Sequence, residues 1–364
     1  MDINFRGTLL KTKTPQRIPG ASLITSVEDL PAVLAASLSA EERALIQKLK
    51  TSPLPLAVTT HFASLAAPER DDPIRRQFIP DPLEEADDPF ALDDPLGEER
   101  YRAASRLVHQ YRDRALLLAG GSCAGFCRYC FRRIRMNAAF ISSAELEPVL
   151  AYLESSPGIR EILVSGGDPL TACDGKLEEL FGKLRNRRPD ILIRLCSRVP
   201  VTYPKRLSCQ TIDLLRRYRP LRVVTHINHV KELSPDARTV LASLVETGIP
   251  VHVQTVLLKG INDNAETLAL LFRECLNLGL SPYYLFQLDL APGAAHFRVP
   301  LKKGLALYRE LERQISGLAL PVYAVDLPGG GGKIRLSENA IAVEENGAFL
   351  LKGHDGMLWK YPIE

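Results

Sequence analysis

From position 115 to position 327 short apolar runs alternate with longer stretches of helical periodicity, and this alternation constrains the fold more than any other property of the chain. The apolar runs are 115–120, 162–167, 191–197, 221–227, 251–258, 283–290 and 321–327. Helical stretches separate them, near 143–155, 175–187, 210–218, 235–247, 264–279 and 303–316. Near-continuous apolar strands of about six residues, each followed by a helix, predict a parallel sheet buried on both faces, either doubly wound or closed towards a barrel. Two helix starts are legible: Ser142 with Glu145 at capping-box spacing, and Ser234 as N-cap with Pro235 at the first helical position. Barrels keep their chemistry at the C-terminal ends of strands. Ser165, Ser197, His226, Gln254 and Asp289 all fall in or just after the later halves of the expected strands.

The alternating region sets the domain reading. Residues 1–100 are expected to form a helical and extended N-terminal region, 101–333 the alternating domain, and 334–364 a small β appendix with a hairpin turn at Asn346-Gly347. Within the first region Ser39 and Glu42 have capping-box spacing. The stretch 69–100 is dense in Pro and Asp and reads as an extended connector. A net charge of +3, with 46% hydrophobic and 24% charged residues, excludes a nucleic-acid groove or a polybasic membrane patch and favours a small-molecule substrate. The first fifteen residues have no apolar core of signal-peptide length and no run approaches the roughly 18 apolar residues of a membrane span, which places the chain in the cytoplasm. Three of the seven cysteines are crowded together, so a metal or redox site is expected rather than a disulfide framework.

Those three are Cys123, Cys127 and Cys130, just after the first strand of the alternation. Spacings of four and three also suit one face of a core helix, but Gly120, Gly121, Arg128, Arg132 and Arg133 around them do not make an apolar stripe. Structural zinc usually takes four ligands, and no partner motif appears elsewhere. Three thiolates on a loop can hold three irons of a [4Fe–4S] cluster and leave the fourth open to an outside ligand. The pattern resembles the cluster motif of the radical S-adenosylmethionine (SAM) superfamily. In that resemblance Tyr129 matches the aromatic position near the adenine, and Ser165-Gly166-Gly167 matches the glycine motif that receives the methionyl amine. The run Pro328-Gly-Gly-Gly-Gly-Lys333 is the second unusual feature. It reads as a flexible linker, as a phosphate-binding loop, or as a glycine-lined approach to a lysine that forms a Schiff base with a carbonyl cofactor such as pyridoxal phosphate.

From about Asp72 to Pro362 the sequence resembles the lysine 2,3-aminomutase family, which includes the proteins that make β-lysine for elongation factor P. The match rests on DDPIRRQ, YRDRALLL, CxxxCRYCFRR, SGGDPL, SRVPV, THINH, QTVLLKGIND, PYYLFQLDL, HFRVP and DLPGGGGK in that order. The resemblance implies an open (βα)6 partial TIM barrel of the radical SAM type, with the [4Fe–4S] cluster, SAM and pyridoxal 5′-phosphate meeting at the strand C-termini. It makes Cys123, Cys127 and Cys130 the cluster ligands and Lys333 the lysine that binds pyridoxal phosphate. Tyr111 and Arg114 fall where the family grips the cofactor phosphate, beside Gln110, where the aminomutase has Arg. Ser197, His226 and Gln254 match polar positions near SAM. Arg132 matches the residue that takes the substrate carboxylate, and Asp289 and Asp326 match the pair that receives the ε-ammonium of lysine.

The activity implied is isomerisation of L-lysine to β-lysine by migration of the amino group from C2 to C3, with SAM as radical source and pyridoxal phosphate supplying the π system. Dedication to elongation factor P modification, or arginine or glutamate as substrate, are the alternatives. The family also implies an electron donor such as flavodoxin or ferredoxin, and a homo-oligomer. Asn264 stands where the family has a zinc-ligating cysteine, so stoichiometric zinc is not expected.

Overall fold

The computed structural model describes residues 18, 20–120, 122–133, 139–345 and 347–363. Gly121, Asn346 and the first 17 positions lie outside the described residues. Ten strands form one sheet: β1 (Arg102–Ala104), β2 (Leu107–Tyr111), β3 (Arg114–Gly120), β4 (Glu161–Gly166), β5 (Leu192–Cys196), β6 (Leu221–His226), β7 (Val251–Val256), β8 (Ser281–Phe286), β9 (Val322–Leu327) and β10 (Gly332–Arg335). They are hydrogen-bonded in chain order. Strands β3 to β9 run parallel, whereas β1 and β2 join one edge antiparallel and β10 joins the other. The two edge strands, β1 and β10, do not pair with each other, so the barrel is open.

Helix α1 (Ala40–Leu49) belongs to the N-terminal region, and the Ser39–Glu42 capping box is formed at its start. Six helices occupy the six crossovers: α2 (Ser143–Ser155), α3 (Asp174–Arg187), α4 (Cys209–Arg217), α5 (Pro235–Glu246), α6 (Ala265–Asn277) and α7 (Leu301–Gln314). Their apolar faces explain why they form. In α2 the buried residues are Leu146, Val149, Leu150 and Leu153, and in α3 they are Leu177, Leu180, Phe181 and Leu184. This is the i, i+3, i+4, i+7 spacing of a helix that covers a sheet with one stripe. The Ser142–Glu145 capping box starts α2, Ser234 caps α5 ahead of Pro235, and Asn264 caps α6. Among the described residues no helix is long and apolar enough to cross a membrane.

The expectation of a sheet buried on both faces needs correction. The helix-facing residues of β4 and β5, such as Ile162, Val164, Ile193 and Leu195, are buried. On the other face Glu161, Ser165, Arg194, Cys196, Arg222, His226, His252 and Gln254 line a central cavity of about 730 Å3. Alternate residues of a strand point to opposite faces, so these strands carry apolar side chains towards the helices and polar ones into the cavity.

The connector 69–100 is largely irregular with short 3-10 turns, and its acidic residues reach the basic flank of the cysteine loop. Glu84 accepts from Arg128 at 2.7 and 2.5 Å and from Arg133 at 2.8 Å, and Asp88 pairs with Arg298. A three-stranded antiparallel sheet, β11 (Ile341–Glu345), β12 (Ala348–Lys352) and β13 (Leu358–Pro362), follows the barrel. Strand β10 runs across position 333, so Lys333 sits on the barrel sheet itself and not at the end of a loop.

Candidate active site

Cys123, Cys127 and Cys130 lie between β3 and α2, and all three line the central cavity. The loop is held from both sides. Thr59 N and Phe126 N bond Ala124 and Ala57 carbonyls at 3.1 and 2.8 Å, and Arg128 N donates to Gln77 O at 2.9 Å. Burial, reinforced by Asp168 and the neighbouring thiols, pushes Cys123 well above the usual thiol range. Burial and then Cys127 push Cys130 up to about 11. Buried thiols of this kind ionise when a cation holds them. Three cysteine thiols lining one cavity are the donor set that three irons of a [4Fe–4S] cluster take.

The glycine motif ends β4 beside this loop. Gly166 has φ +112°, a conformation that L side chains rarely adopt, and a Cβ there would collide with the Gly120 carbonyl oxygen. Backbone is thus exposed to the cavity next to the cysteines. Gly166→Ala is expected to lower stability by about 1–3 kcal/mol and to weaken SAM binding, measured by thermal unfolding and equilibrium dialysis; binding equal to wild type would count against a cofactor cradle here. The adjoining Asp168 is buried and accepts from Ser197 Oγ and Arg198 N, both at 2.6 Å. The Ser197 hydroxyl is therefore committed to Asp168, although the residue lines the cavity.

Two cavity residues remain neutral and bonded to each other. Burial and then the Arg198 guanidinium push the His226 pKa down to about 4, so its Nε2–H donates to Gln254 Oε1 at 2.8 Å. Arg198 itself escaped the reading of the sequence. Its Nη1 lies 2.8 Å from Cys127 Sγ, its Nη2 pairs with buried Glu232 at 2.8 Å, and its guanidinium lies 5.7 Å from the Tyr129 ring centroid. The motif SRVPV contains it, but nothing local reveals that it meets a cysteine 71 positions earlier.

Lys333 enters the cavity from β10. Its backbone N–H donates to the Tyr111 hydroxyl at 2.9 Å, and burial and then Asp326 push Tyr111 up to about 12. The Arg114 guanidinium sits 3.9 Å from the Tyr111 ring centroid, and Gln110 Nε2 donates to Gly330 O at 3.0 Å. Tyr111, Arg114 and Lys333 are therefore grouped, as a ligand carrying both a phosphate and an aldehyde would need. The glycine turn is clamped from the connector, with Gly329 N on Pro95 O and Tyr101 OH on Gly330 O, both at 2.8 Å. Gly331 lies against Trp359 of β13. This anchoring removes the flexible-linker reading.

The acidic and basic ends of the cavity are also formed. Arg132 is gripped by Glu98 through both terminal nitrogens, at 2.7 and 2.5 Å, with both side chains largely buried. Asp326 pairs with Lys333 at 2.5 Å. Asp289 lies on the loop beyond β8 and not on the strand; burial and then Asp326 push its pKa up to about 8. All of the site residues anticipated above line one cavity. Glu98, Arg198, Tyr284 and Phe286 join them there unannounced.

Comparison with known proteins adds to this geometry. The sequence profile of the family described as Lysine-2,3-aminomutase matches residues 309–364. The chain is 46% identical over 297 residues to a candidate L-lysine 2,3-aminomutase of Treponema pallidum (strain Nichols), covering 80% of this chain and 84% of that one. It is 33% identical over 342 residues to the L-lysine 2,3-aminomutase of Clostridium subterminale, covering 93% and 81%. It is also 32% identical over 344 residues to the glutamate 2,3-aminomutase of Clostridioides difficile, covering 94% and 81%.

Proposed function

The chain belongs to the lysine 2,3-aminomutase family of isomerases, and on that premise we propose that it converts lysine to β-lysine with a [4Fe–4S] cluster, SAM and pyridoxal phosphate. Similarity at 32–33% to both a lysine and a glutamate enzyme does not by itself select the substrate. The observation that carries the reading is the pair of carboxylates, Asp289 and Asp326, set in the same cavity as Arg132, Lys333 and the three cysteines. Burial shifts Asp289 upward and repulsion from Asp326 adds to the shift, and a cation at this end of the cavity opposes both. Lysine brings an ammonium to that end. Glutamate would bring a further negative charge.

The protein's own groups divide as follows. Cys123, Cys127 and Cys130 would hold the cluster, and the backbone at Gly166-Gly167 beside Ser165 would receive SAM, with neutral His226, Gln254 and the Tyr129 ring lining the same cavity. Tyr111 and Arg114 hold the phosphate of pyridoxal phosphate near Lys333. When bound, these cofactors supply an electron-accepting sulfonium that yields a radical and a conjugated π system for the migrating nitrogen. Glu98 takes the end of the Arg132 guanidinium and fixes its plane, so the substrate carboxylate is met by the edge that remains, Nε–H and an outer terminal N–H. The apolar walls Leu163, Val224 and Phe286 limit water around the reacting carbons.

Protein reconstituted without oxygen is expected to hold about four irons per chain and, with SAM, pyridoxal phosphate, a reductant and lysine, to release β-lysine. Glutamate in place of lysine is expected to be turned over at least about 100-fold less efficiently, the scale set by an unpaired buried charge. Preference for glutamate would remove the lysine assignment.

A further inference from the structure

The inside of the barrel carries a second group of cations, set back from the cysteine loop. Arg194 of β5 and Arg222 of β6 are partners in register on neighbouring parallel strands, and both line the cavity together with His252 of β7. Adjacent strands lie about 4.8 Å apart, so the two arginine side chains start side by side on the wet face. A single carboxylate serves them, Glu161 of β4, and it pairs with Arg194. Among the described residues Arg222 forms no ion pair, and its Nη1 donates instead to His252 Nε2 at 3.0 Å. Arg194 Nε is buried and has no hydrogen-bond partner among the described residues.

An arginine cannot relieve such crowding by shedding its proton, because the guanidinium stays charged at any pH the fold survives. A partly enclosed cation without a counter-charge is costly, and the remedy that remains is an anion. Burial and then the Arg222 and Arg194 guanidiniums hold the His252 pKa below its ordinary value. The ring is therefore neutral, and with Nε2 accepting from Arg222 its proton is on Nδ1. We propose that Arg194, Arg222 and His252 form a phosphoryl-binding subsite, which takes inorganic phosphate or a phosphate monoester. The subsite is independent of the choice of lysine as substrate.

The donor set selects the class of anion. A carboxylate lies in the plane of one guanidinium and is satisfied by a single fork. Here the donors come from three neighbouring strands: Arg194 Nε–H, the Arg222 N–H groups not given to His252, and the protonated nitrogen of His252. A phosphoryl group carries several outer oxygens and a charge that answers both guanidiniums, so it suits donors arriving from several directions. Leu163, in register with Arg194, and Val224, two residues beyond Arg222, also line the cavity, and apolar walls strengthen the pairing. Arg114 and Arg194 both act on the Tyr284 phenol, so this wall and the Tyr111–Arg114 wall border one volume. Two sources can supply the group, the phosphate of pyridoxal phosphate or a separate phosphate ion or ester, and competition distinguishes them.

Equilibrium dialysis of the full chain against radiolabelled inorganic phosphate, with thermal unfolding alongside, tests the subsite. Wild-type protein is expected to bind about one phosphate per chain and to unfold at a higher temperature as phosphate is added. Arg222→Met is expected to bind phosphate about 10-fold or more weakly and, with the uncompensated charge gone, to unfold no earlier than wild type when phosphate is absent. A merely structural role for Arg222 would instead lower that unfolding temperature. Arg222→Lys, which keeps the charge but not the fork, is expected to fall between the two in affinity. Displacement of the ion by pyridoxal phosphate and not by pyridoxal identifies the cofactor's phosphate as the occupant, whereas phosphate binding undiminished in protein loaded with pyridoxal phosphate identifies a separate ligand. Unchanged phosphate affinity in Arg222→Met, whatever Arg114→Met does, overturns the subsite, and so does a wild-type protein that binds no phosphate. The lysine assignment survives either result, because it is decided by the product formed.

Discussion

Lys333→Ala protein is expected to lose aminomutase activity to below detection and to bind pyridoxal phosphate without a covalent link. Borohydride reduction of the wild-type protein should fix the pyridoxyl group to the peptide containing Lys333, and the variant should release the cofactor on denaturation. The effect should be local. The main chain of Lys333 stays in the β9–β10 ladder and on the Tyr111 hydroxyl, and the glycine turn keeps its bonds to Pro95 and Tyr101. The cost in stability is confined to an Asp326 carboxylate left without its partner, about 1–3 kcal/mol. Recovery of the reduced pyridoxyl group on another lysine would falsify the assignment of Lys333.

The second large effect is expected at the cysteine loop. Cys127→Ser should reduce iron well below the about four atoms per chain of one cubane and abolish reductive cleavage of SAM. A serine oxygen is a harder and less acidic ligand than a thiol, so the third iron site is not held. Cys127 is also the cysteine that meets Arg198, a guanidinium anchored by Glu232 and unable to follow a displaced sulfur. Attachment of pyridoxal phosphate to Lys333 should survive, because Lys333 is positioned by β9, β10 and the connector and not by the cysteine loop. Iron content, electron paramagnetic resonance after reduction, and the yield of 5′-deoxyadenosine together check this. SAM cleavage at the wild-type rate in iron-free protein would remove the cluster from the site.

The barrel was legible because its helices and strands carry their own periodicity. The six crossover helices lie within about two residues of the expected spans, since each has a continuous apolar stripe and several have sequence-local caps. Strands β1 and β2 were not anticipated. They are three and five residues long, and LVHQY offers only two buried positions, too few for an alternating pattern to stand out. Strand β10 was hidden for a related reason: its residues Gly332 and Lys333 were absorbed into the glycine run, and its pairing with β9 is a matter of turn geometry. The end of β8 came earlier than its apolar run suggests. Gln287 still donates its N–H to the Ala324 carbonyl of β9 at 2.8 Å, but Gln287 and Leu288 lie beyond the strand, and Gln287 Nε2 turns to the Val299 carbonyl at 2.7 Å.

Chemical identity of the site needed little more than short stretches of chain. The spacing of Cys123, Cys127 and Cys130, the two glycines after Ser165, and a lysine after four glycines are determined by consecutive residues, because loops that bring backbone or thiols to a ligand do so locally. Which charge neutralises which was decided only by the fold. Glu84 serves Arg128 and Arg133, Glu98 serves Arg132, Glu232 serves Arg198, and Asp326 serves Lys333. All but the last join residues more than 30 positions apart. A buried charge must be compensated within a few ångströms, and that distance is set by the packing of the connector and the strand ends around the cavity, which no local pattern of residue types encodes.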